Sequence, residues 1–310
     1  MRTKTLPKMR GLYTIICLVF LIAGFAKSQT RKIIDVHFHT RSAGDYGTTP
    51  PPNPASGRLP HASSNEEIYS SNLVLLKKYN IVKAICSGTI ARNTDFITND
   101  PVRFLSSLEF PDHQNNPLPD TLTFKKMAIE KKFIAFGELG LQYEGKTLAD
   151  PEYAPYLAIC EQLGIPVLLH TGEAAPNTPY MPCCPRFRIN SGRPLHIEPV
   201  LIKYPKLKVM LMHMGFPFLE ETKAVLNVYP QVSVDISVID WAVPTQEFYD
   251  YLKALIVAGF EKRIMYGSDQ MIWEDAIELS VKKVEKAPFL SKKQKDDIFY
   301  NNAAKFFGIK

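Results

Sequence analysis

Eight short apolar runs separated by helical stretches, most of them continuously apolar rather than alternating with polar residues, predict an α/β chain folded as a (β/α)8 TIM barrel. The runs are Ile33–His37, Ile81–Cys86, Arg103–Leu108, Phe133–Glu138, Pro166–His170, Lys208–His213, Val232–Ile236 and Arg263–Ser268. Continuous apolarity is expected of parallel strands buried on both faces. An open doubly wound sheet fits the same alternation, but no glycine-rich loop follows the first run, so dinucleotide binding has no support. A chain of 310 residues with 45% hydrophobic and 22% charged side chains suits one large globular domain, not a disordered, fibrous or disulfide-stapled one.

Before the first strand, Arg2, Lys4, Lys8 and Arg10 precede the apolar run 11–26, and Ala26 and Ser28 stand at cleavage spacing before Gln29. This pattern predicts a secretory signal peptide over residues 1–28, followed by a single barrel domain over 29–310. The apolar run is short for a bilayer span, so no stable membrane association is expected after cleavage. The expected location is periplasmic or secreted. Cleavage removes five cationic residues and lowers the net charge from +6 to +1, which argues against a nucleic-acid partner.

After the first strand, the Pro-rich stretch Thr48–Pro60 is expected to lie as a loop over the site. Ser63 with Glu66 and Ser64 with Glu67 offer capping boxes before a helix over Ile68–Tyr79. Asp150 and Pro151 open the helix that carries Leu157, Ile159 and Leu163, Gly164 stops it, and Ser291 caps the closing helical region that ends in YNNAAKFFGI. Cys86 and Cys160 are expected as buried apolar side chains. Cys183 and Cys184, in the irregular stretch Ala174–Pro194, are compatible with pairing to each other, with distant partners or with free thiols.

Four of seven histidines fall at candidate strand ends: His37 and His39 in DVHFH, His170 and His213. Glu138 ends the fourth run and Asp269 follows the eighth. In a barrel these tips converge on the face where active sites are built. His37 and His39, two apart on a strand, point to one face, which is the spacing for two imidazoles on one metal. With His170 and Asp269 the set becomes three nitrogens and a carboxylate oxygen, open to water or substrate. Zinc suits it, and manganese, iron or nickel would accept it. Asp35, two before His37, is expected on the same face one layer deeper, as a buried carboxylate satisfied by donors. Nothing compels a role for His61, His113 or His196. Arg186 and Arg188, flanking Phe187, are candidates to grip a substrate carboxylate, with Arg41 and Arg58 as rivals.

The DVHFH, LLHTGE, MLMHMG, YGSD and NNAAKFFGI segments together resemble the amidohydrolase superfamily, in the amidohydrolase-related (amidohydrolase 2) branch that contains pyrone dicarboxylate lactonase and aminocarboxymuconate semialdehyde decarboxylase. The resemblance runs from about residue 32 to the C-terminus and implies a distorted barrel. It implies metal ligation by His37, His39, His170 and Asp269, with His213 as a catalytic, non-ligating histidine. The segment GELGLQY resembles a neighbouring branch, the TatD-type metal hydrolases, and by that resemblance Glu138 would bridge two metals and His213 would ligate the second. Gln142 stands where that branch carries aspartate. The expectation is one essential zinc with Glu138 beside it, a second ion remaining open.

The expected function is hydrolysis of a small, carboxylated amide, ester or lactone by a metal-activated water. Asp269 would accept and return the proton, and His213 would steady the oxyanion or share the base role. Non-oxidative decarboxylation of a small carboxylic acid is the nearest alternative; a metal-containing binding protein without turnover is the other. A small-molecule substrate is the expected partner, and a homodimer is left open.

Overall fold

The apolar runs pair in sequence order. In the computed structural model, which describes Met1 and residues 31–45, 47–111 and 116–309, eight parallel strands neighbour one another from first to last. They are β1 (Ile33–His39), β2 (Ile81–Ser87), β3 (Phe104–Phe110), β4 (Ala135–Leu139), β5 (Val167–Leu169), β6 (Val209–Leu211), β7 (Val232–Asp235) and β8 (Ile264–Met265). Beyond β8 the chain returns to β1: Val36 N donates to Tyr266 O at 3.0 Å and Asp269 N donates to His37 O at 2.7 Å. The result is the predicted distorted (β/α)8 barrel. The expected signal peptide, residues 1–28, lies outside the described residues apart from Met1, and so does His113.

Consecutive strand residues fall into two buried clusters. Ile34, Val36, Ile85, Ala135, Leu168, Met210 and Met265 fill the barrel interior, while Ile33, Ala84, Phe136, Val167, Val209 and Ile264 join the layer between sheet and helices. Both faces of these six strands are therefore apolar, which is why their runs read as continuous. Each fully buried Leu, Ile, Val or Met side chain contributes roughly 1.5–3 kcal/mol.

The helices are α1 (Asn65–Lys78), α2 (Ile90–Asn99), α3 (Thr121–Ile129), α4 (Ala154–Leu163), α5 (Glu198–Lys203), α6 (Leu219–Val228), α7 (Ile239–Ala242), α8 (Thr245–Val257), α9 (Asp275–Lys286), α10 (Lys292–Asp296) and α11 (Asn302–Phe307). Ser64 caps α1, its hydroxyl accepting from Glu67 N at 3.1 Å, and Ser291 with Gln294 forms a capping box on α10. Gly164 ends α4 at φ +69°, as expected, whereas Asp150 opens a short 3-10 turn before that helix and its carboxylate accepts from Thr147 N instead of capping. α11 closes the end of the barrel at the strand starts: Lys208 Nζ donates to Phe306 O at 2.8 Å and Asn302 Nδ2 to Ile264 O at 2.7 Å. The opposite end stays free for the strand-tip residues.

The strand ends depart from the predicted bounds. β3 runs two residues further and carries Glu109 at its tip, while β5, β6 and β8 stop earlier, so that His170, His213 and Asp269 follow their strands. His213 sits in a turn at φ +61°, and Asp269 at φ +43°. The expectation that Asp35 shares a face with His37 is corrected. Ile34 and Val36 face the interior, and the β1–β2 register shifts between Asp35 and Phe38, so a bulge brings His37 inward directly after Val36. Asp35 points to the outer layer, where its Oδ1 accepts from His37 N (3.1 Å) and Ser268 N (2.9 Å). Burial pushes its carboxyl up to about 6.

The Thr48–Pro60 stretch is tied to the start of α9. Trp273 Nε1 donates to Pro51 O (2.8 Å), Asn53 Nδ2 and Ser56 Oγ donate to the Asp275 carboxylate (2.8 and 2.6 Å), and His61 pairs with Glu274. Cys86 and Cys160 are buried free thiols, and Cys183 is bonded to Cys184. Among the described residues no helix is long and apolar enough to cross a membrane.

Candidate metal centre

Two glycines allow the strand tips to converge. Gly137 has φ +149°, and a β-carbon there would strike the backbone oxygen of Leu168, so β4 can press against β5 and deliver Glu138 only with glycine at this place. A β-carbon on Gly267 would stand 2.8 Å from His37 Cβ and 3.0 Å from Ser237 Cβ, so the residues leading to Asp269 lie against the first histidine. Positive φ at His213, Met214, Val238, Asp269 and Met271 collects backbone strain at the same mouth, a concentration typical of functional sites.

All six strand-tip candidates meet there. His37 Nε2 lies 3.1 Å from His39 Nε2, 3.2 Å from Glu138 Oε2 and 3.8 Å from Asp269 Oδ1. His39 Nε2 lies 3.3 Å from Glu138 Oε2 and 2.9 Å from Asp269 Oδ1. On the other side, Glu138 Oε1 lies 2.6 Å from His170 Nδ1 and 3.5 Å from His213 Nε2, and those two nitrogens are 3.1 Å apart. His170 therefore groups with Glu138 and His213, not with His37 and His39 as expected.

These separations suit a cation. Donors about 2.0–2.1 Å from a tetrahedral zinc ion lie about 3.3 Å from one another. The ligand atoms of His37, His39 and Glu138, of His37, His213 and Asp269, and of Glu138, His170 and His213 each fall within 4.8 Å of one another. Asp269 Oδ1, though 2.9 Å from an imidazole nitrogen, is buried without a hydrogen bond, as a donor atom aimed at an ion would be. The residues present fit a divalent metal.

Charge is coupled across the cluster. Burial alone would neutralise Glu138 and Asp269, yet the His37 imidazole beside them holds both carboxyls well below the usual carboxylate range. Burial likewise disfavours a charged His37, but Asp269 and Glu138 outweigh it and raise this imidazole well above its ordinary value; Glu138 and Asp269 also raise His213. His170 moves down, through burial and the neighbouring His213. The cluster thus favours a positive charge at the place that a metal cation would take.

A second layer, which strand-end reasoning did not single out, holds these groups. Gln270 clamps the His39 backbone, accepting from His39 N (3.0 Å) and donating to His39 O (2.7 Å). Glu109 Oε1 lies 4.0 Å from His39 Nδ1 and 3.2 Å from Arg41 Nη1. Ser237 and Asp235, from the end of β7, bond to both His37 and His213. The available signals were Gln270 directly after Asp269 and the DIS triplet closing the seventh apolar run.

The arginines separate. Arg41 is mostly buried beside Glu109, whereas Arg186 is exposed and paired with Glu144, and exposed Arg188 donates to Pro185 O and Phe187 O at 3.3 and 2.7 Å. The inward side chain of that loop is Phe187, whose ring is 5.3 Å from Tyr143, itself 5.2 Å from His170. His61 and His196 lie outside the cluster.

A family model described as amidohydrolase matches residues 34–309. No curated protein matches the chain. Solved structures share its fold: an uncharacterized TIM-barrel protein from Bordetella bronchiseptica (TM-score 0.64, 17% identity, covering 90% of this chain and 99% of that one); a probable 2-pyrone-4,6-dicarboxylic acid hydrolase from Acinetobacter baumannii (0.61, 17%, 89% and 99%); and a 5-carboxyvanillate decarboxylase from Sphingomonas paucimobilis (0.58, 14%, 90% and 99%).

Proposed function

The chain belongs to the amidohydrolase family, and on that premise we propose that it is a metal-dependent hydrolase of a small, carboxylated amide, ester or lactone. One observation carries the reading: the two oxygens of Glu138 are divided between the His37/His39 pair and the His170/His213 pair. His37, His39, Asp269 and Glu138 Oε2 would hold one divalent cation, zinc by donor chemistry, with manganese, iron or nickel as alternatives. Glu138 Oε1, His170 and His213 would hold a second, the arrangement implied by the TatD-type resemblance.

When bound, such a cation acidifies water and polarises the bond to be cleaved. Asp269, kept ionised by the imidazoles around it, accepts the proton of the attacking water and returns it to the leaving group. His213, its Nδ1 3.9 Å from the second Asp269 oxygen, helps to keep that carboxylate ionised. Glu138 keeps the two imidazole pairs at fixed separation. Arg41, steadied by Glu109 beside His39, is the guanidinium suited to a substrate carboxylate.

The experiment is a substrate screen on chelator-free protein with and without added Zn2+. It compares carboxylated lactones, esters and amides, followed by proton release, with aromatic carboxylic acids, followed by CO2 release. Metal-dependent ring opening or acyl cleavage is expected. CO2 release without any hydrolysis would overturn the reading.

A further inference from the structure

Ser237 contacts two members of the cluster with a single hydroxyl. Its Oγ lies 2.8 Å from His37 Nδ1, 3.1 Å from His213 Nδ1 and 2.8 Å from Asp235 Oδ1. All four side chains are buried. A hydroxyl has one proton to give and two lone pairs to offer, so the direction of every bond follows once one is known.

Asp235 Oδ1 fixes it. That oxygen already accepts from His213 N at 2.8 Å and Ser237 N at 3.3 Å, so it is an acceptor, and the Ser237 proton must point to it. Ser237 Oγ is then left only with lone pairs towards the two rings. His213 Nδ1 is constrained a second time, because it lies 3.1 Å from Ser237 O, a carbonyl that can only accept. His37 Nδ1 also faces Asp235 Oδ2 at 3.4 Å. Both Nδ1 atoms must carry protons.

We propose that Ser237 is a positioning residue that fixes His37 and His213 together as Nδ1–H tautomers, turning both Nε2 lone pairs into the cluster. Those lone pairs serve different sides of Glu138, so one hydroxyl sets the polarity of both halves of the site. Neutral His213 then cannot donate from Nε2, and its role is that of an acceptor or ligand. The turn at Val238, a β-branched residue at φ +56°, directly follows Ser237, whose carbonyl accepts the His213 proton.

The tautomer assignment stands on hydrogen bonds alone; its consequence for metal affinity rests on the function proposed above. The test is long-range 1H–15N correlation on 15N-histidine-labelled full chain, metal-free and at alkaline pH, with rings assigned by single His→Gln variants. Wild type is expected to show protonated Nδ1 and bare Nε2 at His37 and His213. Ser237→Ala should give mixed tautomers at His37 and a smaller change at His213, whose carbonyl partner remains. Ser237→Thr should restore the wild-type pattern. In parallel, Co2+ titration should show about 10- to 100-fold weaker binding for Ser237→Ala, recovered by Ser237→Thr, the usual size of an outer-shell loss. An Nε2–H signal with bare Nδ1 on either neutral ring of wild type, or an unchanged spectrum in Ser237→Ala, overturns the proposal. Wild type that binds no Co2+ while showing the expected tautomers refutes the metal function and leaves the assignment of Ser237 standing.

Discussion

The Nε2 atoms of His37 and His39 face one another at 3.1 Å in a site from which solvent is almost excluded. Two imidazole lone pairs at that distance repel unless a proton or a metal ion lies between them, and Glu138 and Asp269 add negative charge on the same spot. Occupancy by a cation should therefore stabilise the fold. At Zn2+ one hundred times its Kd, the gain is about 2.7 kcal/mol, and for a domain of this size the midpoint should rise by about 5 °C. Calorimetry with and without a chelator checks this; an unchanged midpoint contradicts it.

Metal uptake should release protons. The carboxylates raise the His37 and His213 values, so both rings hold protons to higher pH than free imidazole does, and a metal must displace them. Affinity is expected to fall as pH drops through neutrality. Isothermal titration in buffers of different ionisation heat measures the released protons, and a pH-independent affinity would argue against the assignment.

Asp269→Asn keeps the shape of the side chain but removes its capacity to take a proton. Turnover should fall about 10²- to 10⁴-fold. Glu138→Gln presents an amide N–H to one imidazole pair, so bound metal per chain should decrease. Mass-spectrometric metal counting beside the kinetic assay separates the two effects.

Arg41→Lys retains a positive charge against Glu109 while losing the planar fork. Carboxylated substrates should show an increase in KM of about tenfold, the equivalent of 1.4 kcal/mol, and neutral analogues little change. Equal losses on both classes would remove Arg41 from carboxylate recognition.

The loop that follows β1 carries a pH-dependent latch. The bond to Glu274, with its charge and that of Glu67, raises His61 above its ordinary value. A raised imidazole contributes its stabilisation below the unfolded value of about 6.5 and loses it as pH rises through the folded one. Residues 48–63 should become easier to cleave by protease in alkaline buffer, and His61→Ala should flatten the dependence. Protection that increases with pH would contradict the latch.

The barrel order was legible because both strand faces are buried, which leaves apolar runs, and because a strand-end position plus a metal-binding residue type marks His37, His39, Glu138, His170, His213 and Asp269. The strand ends were less legible. Ladder bonding stops at Leu169, Leu211 and Met265 as the chains spread at the mouth, and the turns that aim His213 and Asp269 have positive φ at residues with no glycine to announce it. The bulge in β1 turned His37 inward directly after Val36 and so parted it from Asp35, because alternation holds only while register holds. Ser237, Asp235, Gln270 and Glu109 went unmarked, since serine, glutamine and acidic residues occur everywhere and only the closed barrel brings these against the histidines. Arg186 and Arg188 stand exposed in a loop whose inward side chain is Phe187, a division that residue type alone does not reveal.

Anomalous diffraction at the zinc edge, on crystals of chelator-free protein supplied with Zn2+, tests the cluster most directly. The account predicts a peak among His37, His39 and Asp269 in contact with Glu138, with any second peak between Glu138, His170 and His213. A map with no peak among these six side chains, or with zinc bound only elsewhere on the molecule, would contradict it.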